Sequence, residues 1–276
     1  MRPMMAETHK FADLGRPRRI WAIGSVHAQL DRLHAIHEAV WSRFQAGDRL
    51  VYLGNLVGWG APALETIDGL LAFRRALLSI RGLFPTDIVY LRGSQEEMWQ
   101  KLLQLQFAPN PGEVLDWMVR QGVETTLAAY GGSAEQGFAA ARGGAVSLGR
   151  WTAGLRATMQ ARPGHATLFN AVRRAAYTGT PDAPQPGGAL FVNAGIDPNR
   201  PFGHQGDSFW WAGGGFARLD QPYGGFHRVV RGYDPARQGV QVTDFTATLD
   251  AGCGFGGPLV CGAFTHTGDV LEMFQA

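Results

Sequence analysis

The side chains of this sequence that could do chemistry sit in Gly-containing loops. His27 follows Gly24-Ser25-Val26, Asn55 opens Asn55-Leu56-Val57-Gly58-Trp59-Gly60, and Ser94, Gln95, Glu96 and Glu97 follow Gly93. Farther along come Asn193 before Ala194-Gly195, Tyr233 after Gly232, and Asp250 before Ala251-Gly252. A histidine can hold a metal or carry a proton. Amides and hydroxyls hydrogen-bond well but are poor ligands for a catalytic transition metal. His34 and His37 follow on the helix after His27 and invite a zinc reading. That helix face also carries core residues, so surface or satisfied histidines are expected instead. Glu96 and Glu97 are expected in the first turn of a helix, where carboxylates favour the dipole. Asp250 is expected to orient a turn.

Three strand–loop–helix units must position the first of these loops. Ile20–Ile23, Leu50–Leu53 and Ile88–Leu91 read as short buried strands closed by Gly24, Gly54 and Gly93. Leu30, Leu33, Ile36, Val40, Trp41 and Phe44 recur at helical spacing, as do Leu64, Ile67, Leu71 and Leu78 after Pro62. Glu96 to Leu105 is a third predicted helix. Strands alternating with helices imply a covered, largely parallel sheet with its site at the carboxyl ends of the strands. The stretch from about 110 to 188 is richer in helix signals: a start at Asn110-Pro111, then helices over 150–162 and 165–177. Six arginines lie there, at 142, 150, 156, 162, 173 and 174, and are expected on a solvated face. From Ala189 onward, short strands at 190–192, 227–231, 240–244, 247–250, 258–264 and 270–274 read as a second, mostly antiparallel sheet.

In order, these loops resemble those of the calcineurin-like metallophosphoesterases, in their serine/threonine phosphoprotein phosphatase and symmetrical diadenosine tetraphosphatase branch. Gly24-Ser25-Val26-His27-Ala28 is similar to G-D-x-H-G, Gly54 to Gly60 to G-D-x-x-D-R-G, and Gly93-Ser94-Gln95-Glu96 to G-N-H-E. Phe191-Val192-Asn193-Ala194-Gly195 resembles F-V-H-A-G, Val229 to Pro235 resembles V-V-x-G-H-T-P, and Leu249 to Leu259 resembles the closing hairpin D-T-G-x-x-Y-G-G-x-L. The agreement runs from Arg19 to Phe274. It implies an α/β fold of two mixed sheets packed as a sandwich and flanked by helices. It also implies a cleft where two divalent metals activate water for in-line attack on a phosphoryl group.

Residue by residue, the resemblance also implies a loss. The first Asp is Ser25 here, the bridging Asp is Asn55, and the D-R pair is Gly58-Trp59. The Asn ligand is Ser94, the acid His is Gln95, and the two later His ligands are Asn193 and Tyr233. His27 is the only ligand type kept. Asp→Asn and His→Gln or Asn preserve size while removing charge or basicity, so no metal and no catalytic residue are expected. Trp59 is expected to bring apolar bulk toward the phosphate position and partly plug the cleft.

The bulk numbers restrict the alternatives. Hydrophobic residues make up 45% of 276 and charged residues 17%, an ordinary globular balance. A net charge of +2 gives no indication of nucleic acid or membrane. Cys253 and Cys261 lack metal spacing and are expected reduced, although an apparent hairpin leaves a disulfide open. Residues 1–18 read as a flexible tail and 19–276 as a single domain with a helical insert at about 110–188. No apolar run is long enough for a membrane span. The expected location is cytoplasmic.

The leading expectation is a catalytically inactive homologue that binds a protein or a phosphorylated ligand. The alternative is a metal-dependent phosphoesterase, acting on a phosphoprotein or a dinucleoside polyphosphate, whose rearranged site uses His27 and Mn, Fe or Zn. A structural subunit docking through the helical segment is a third expectation. Trp99, Trp117, Trp151, Trp210 and Trp211 are expected in the core, with the Trp210-Trp211 pair the best candidate among them for an exposed aromatic contact.

Overall fold

The computed structural model describes residues 10–181 and 183–276. The elements run β1 (Phe11–Asp13), β2 (Ile20–Ile23), α1 (Leu30–Trp41), β3 (Arg49–Tyr52), α2 (Ala63–Leu78), β4 (Ile88–Tyr90) and α3 (Ser94–Leu102). A helical stretch follows: α4 (Pro111–Met118), α5 (Glu124–Ala129), α6 (Ala134–Arg142), α7 (Ala145–Ala161) and α8 (His165–Ala171). The rest comprises β5 (Ala175–Tyr177), β6 (Gly188–Val192), α9 (Ser208–Trp211), α10 (Gly213–Phe216), β7 (Phe226–Arg231), β8 (Gln241–Val242), β9 (Thr246–Thr248), β10 (Val260–Phe264) and β11 (Val270–Gln275).

Two mixed sheets result, in the orders β11-β10-β2-β3-β4 and β1-β5-β6-β7-β9-β8. Side chains alternate between the two faces of a strand. Ile20, Ala22, Val51, Leu53 and Val89 therefore face the second sheet and pack with Ala176, Ala189, Phe191, Val230 and Ala247. Their neighbours Trp21, Ile23, Leu50, Tyr52, Ile88 and Tyr90 turn the other way, onto Leu33, Ile36 and Val40 of α1 and Ile67 and Leu70 of α2. Burial on both faces explains why these strands read as continuous apolar runs rather than alternating ones. A separate core built on Trp99, Leu115, Leu127, Leu148 and Leu155 holds the helical stretch together.

Several expectations need correction. Residues 1–9 of the expected tail lie outside the described residues. Residues 11–13 form β1, parallel to β5, because Phe11 packs on Phe202 at 4.4 Å between ring centroids. Its anchor lies nearly two hundred residues away and is invisible locally. The helix expected over 165–177 stops at Ala171; Arg173 then bridges Leu91 and the chain becomes β5. The second sheet is not mostly antiparallel: β6, β7 and β9 pair in parallel. The loops between those strands are long enough to cross over, and α9 and α10 lie in the first of them. β10 and β11 belong to the first sheet, with β10 antiparallel to β2. Cys253 and Cys261 are buried and unpaired. Among the described residues no helix is long and apolar enough to cross a membrane.

Candidate functional site

Register brings the loops to one place. Ile23 pairs with Tyr52 and Tyr52 with Tyr90, so three loops leave the first sheet at the same end. Val192 pairs with Arg231 and Arg231 with Thr248, which does the same for the second sheet. Backbone bonds stitch the loops together, both within each group and between the two. Ser25 N–H donates to Gly232 O at 2.9 Å, His27 N–H to Asn55 O at 2.7 Å, and Tyr233 N–H to Asn193 O at 2.9 Å. Glycine is required where the loops touch: a Cβ on Gly24 would lie 2.1 Å from Leu249 O, and one on Gly93 2.3 Å from Asn55 Oδ1. Among the described residues, the non-glycine positions with a left-handed φ are His27, Ala28, Asn55, Trp59 and Arg237. All belong to these loops. Such conformations concentrate at functional sites, held in place by the surrounding structure.

The polar groups of the site are largely occupied by each other. Asn55 Oδ1 accepts the Gln95 backbone N–H at 3.1 Å and the Ser94 hydroxyl at 3.2 Å. Of the two ends of the amide only the oxygen can accept an N–H, so its orientation is fixed, and Asn55 Nδ2 donates to Ser25 Oγ at 3.2 Å. Asn193 Nδ2 donates to Leu53 O at 2.7 Å, and Gln95 Nε2 to Gln121 O at 2.7 Å. Three kinds of buried atom are left without hydrogen-bond partners: Asn193 Oδ1, Gln95 Oε1 and both ring nitrogens of His27. The His27 imidazole is buried, with Tyr233 edge-on at 5.7 Å and Phe255 at 6.2 Å. Burial, helped by the positive charge of Arg237, lowers its pKa to about 3. The ring is therefore neutral at pH 7.

These donors do not fit a pair of divalent metals. A dinuclear site needs anionic oxygen to bridge and balance the cations. Here the position where the resemblance puts a bridging carboxylate carries the Asn55 amide, whose NH2 points at Ser25. Among the described residues, no group of three His, Cys, Asp or Glu side chains is placed to hold an ion.

Trp59 sits at the rim rather than inside the cleft. Its ring packs 5.1 Å from that of Phe255 and against Gly122, whose added Cβ would meet it at 2.6 Å. Arg237 lies 3.5 Å above Phe255. Gly58, with φ of +96°, leaves room for Gln95, since a Cβ there would come within 2.4 Å of it. Trp210 is buried. Trp211 is exposed and pairs with exposed Trp117 at 5.7 Å. The arginines of the helical stretch do not share one role: Arg156 bonds the Leu103 carbonyl, and Arg174 lies over Trp210.

Three features of the site escaped the sequence reading. Glu96 lies in the first turn of α3, as expected, and is a strut as well: its buried carboxylate accepts N–H bonds from Asn55, Leu56 and Gly93, each at 2.8 Å. Burial raises its pKa, and those three bonds pull the other way. Asp250 does orient a turn, through Gly252 N–H, but it also takes Asp234 N–H at 2.8 Å. Asp234 in turn pairs with buried Arg231 at 3.0 Å. Finally, the turn Val119–Val123 of the helical stretch reaches the cleft, where Trp59 N–H bonds Gly122 O. Spacing along the chain gave no signal for that contact.

No protein-family model matches the sequence. The solved structure of a candidate diadenosine tetraphosphatase superposes with a TM-score of 0.55 at 17% identity, covering 96% of this chain and 98% of that one. The fold is that of the calcineurin-like metallophosphoesterases. A cold-active protein tyrosine phosphatase from a psychrophilic Shewanella species gives 0.48 at 11% identity, over 95% of this chain and 82% of that one. A protein serine/threonine phosphatase from Saccharomyces cerevisiae, similar to human PP5, gives 0.46 at 13%, over 97% and 84%.

Proposed function

We propose that this metallophosphoesterase-fold chain is catalytically inactive and acts by binding a protein or a phosphorylated ligand at its loop cleft. The observation that carries the reading is the Asn55 amide. It stands where the resemblance puts a bridging carboxylate, and spends its oxygen on Gln95 and Ser94 and its NH2 on Ser25. Around it, Gln95 stands where the family resemblance puts the acid histidine, and Trp59 where it puts arginine. The cleft mouth instead presents Trp59, Phe255 and Arg237, with Trp117 and Trp211 exposed as well. Tryptophan and arginine are enriched among residues that dominate binding energy. Two unpaired buried thiols suit a reducing compartment, and we take the cytoplasm as the place of action. The test is metal content. Chain dialysed against Mn²⁺, Fe²⁺ or Zn²⁺ and then gel-filtered is expected to retain no stoichiometric metal.

A second reading draws on the partnerless atoms of His27, Asn193 and Gln95. They could receive one cation in a rearranged phosphoesterase acting on a phosphoprotein or a dinucleoside polyphosphate. That reading requires one retained metal per chain, lost in His27→Ala.

A further inference from the structure

A cavity of about 640 Å³ opens between the edges of the two sheets, roofed by α2 and α8. It shares no residue with the cleft. Its volume falls in the range of small-molecule sites, roughly 300–1,000 Å³. Leu71, Ile88, Val89 and Leu168 supply apolar wall, and Arg74 and Arg75 line it from α2. Among the described residues, neither Arg74 nor Arg75 takes part in an ion pair. Asp13 is the one acidic side chain on the wall, and it is engaged by Gly15 N–H at 2.8 Å.

The backbone adds donors. β4 is the edge strand of its sheet. Leu91 N–H bonds inward to Tyr52 O, while Tyr90 O accepts Arg173 N–H from outside. Alternation along a strand therefore turns the N–H groups of Ile88 and Tyr90 outward, toward the cavity. The 171–175 segment covers this edge only at Leu91 before leaving to pair with β1. Arg74 is half-buried and Arg75 exposed, so the two give the mouth of the apolar wall a positive rim, while open N–H donors buried beside that wall are unfavourable unless an acceptor answers them.

We propose that this cavity binds a small amphiphilic anion, with its apolar body against Leu71, Val89 and Leu168 and its carboxylate at Arg74, Arg75 and the open edge of β4. An apolar ligand would leave the arginines unanswered, and a purely ionic one would leave the wall dry and unfilled. The test uses sodium decanoate titrated into the full-length chain by calorimetry, with decanol as the uncharged analogue. One decanoate per chain is expected, bound about tenfold or more tighter than decanol, as charge-assisted hydrogen bonds imply. The double variant Arg74→Gln, Arg75→Gln changes groups at the cavity mouth and keeps the fold, checked by its circular dichroism. It should lose that discrimination. Leu168→Trp should block both ligands, and Trp59→Ala, in the separate cleft, should change neither. Absence of decanoate binding at millimolar concentration overturns the proposal. So does binding that survives both the arginine double variant and Leu168→Trp.

Discussion

Asn55 Oδ1 accepts the Gln95 backbone N–H at 3.1 Å, joining the second and third loops of the cleft through the side chain that stands where the resemblance puts a bridging carboxylate. Beneath it, Glu96 ties the same two loops through their backbone. The loops are thus held by hydrogen bonds within the chain at positions where the resemblance puts metal ligands.

Glu96 should be a major contributor to stability. Glu96→Gln keeps one acceptor oxygen but turns an NH2 toward a backbone donor, and should cost about 1–3 kcal/mol. Glu96→Ala orphans the N–H groups of Asn55, Leu56 and Gly93, and should cost about twice as much or more. Urea unfolding midpoints at pH 7 give both values. Equal effects for the two variants would argue against the strut.

Acid should destabilise the fold through two histidines. His27 is lowered from 6.5 to about 3 by burial and then by Arg237, and His37 from 6.5 to about 3 by burial and then by His34. Between those limits the unfolded chain binds protons that the folded chain does not. Stability is full above pH 6.5 and falls as pH drops, by up to about 1.4 kcal/mol per pH unit for each histidine. Glu96 and Asp250, raised by burial, act in the opposite sense and lose stability as pH rises. His27→Asn suits the left-handed φ of +49° and should remove one histidine's share of the slope. Unfolding measured from pH 7 to pH 4 reads that slope directly.

The buried Arg231–Asp234 pair should resist dissection. Both side chains are almost fully buried, and Arg231 also bonds Thr248 at 2.9 Å. Arg231→Met strands the Asp234 carboxylate and should cost about 3–5 kcal/mol. Adding Asp234→Asn should recover part of that loss, a coupling that a double-mutant cycle in urea measures.

Gly122 should tolerate no side chain. It has φ of +90°, and an added Cβ would strike the Trp59 ring. Gly122→Ala should cost about 1–3 kcal/mol from strain and overpacking. In a Trp59→Ala background the overpacking disappears and the backbone strain remains, so the penalty should shrink without vanishing.

Much of this was legible in the sequence, for identifiable reasons. Ile20–Ile23, Leu50–Leu53 and Ile88–Leu91 are buried on both faces, so they read as apolar runs and announce a parallel, covered sheet. The loops after them carry glycines that contact geometry demands, at Gly24 and Gly93. What stayed hidden depends on side chains reaching across the chain. Glu96 looks like any first-turn carboxylate until Asn55 and Leu56 are folded over it. Gly58 looks like ordinary loop glycine until Gln95 fills the space above it. β1 needs Phe202 and Phe209, and the parallel pairing of β6, β7 and β9 needs crossovers that short strands with Gly turns disguise as hairpins.

The central claim is that the cleft no longer supports metal-dependent hydrolysis. The direct measurement is turnover of p-nitrophenyl phosphate by the purified chain with excess Mn²⁺. The account predicts a rate equal to that of the protein-free control, unchanged in His27→Ala. Turnover near the usual enzyme range, about 1 s⁻¹ or faster, that disappears in His27→Ala would contradict it.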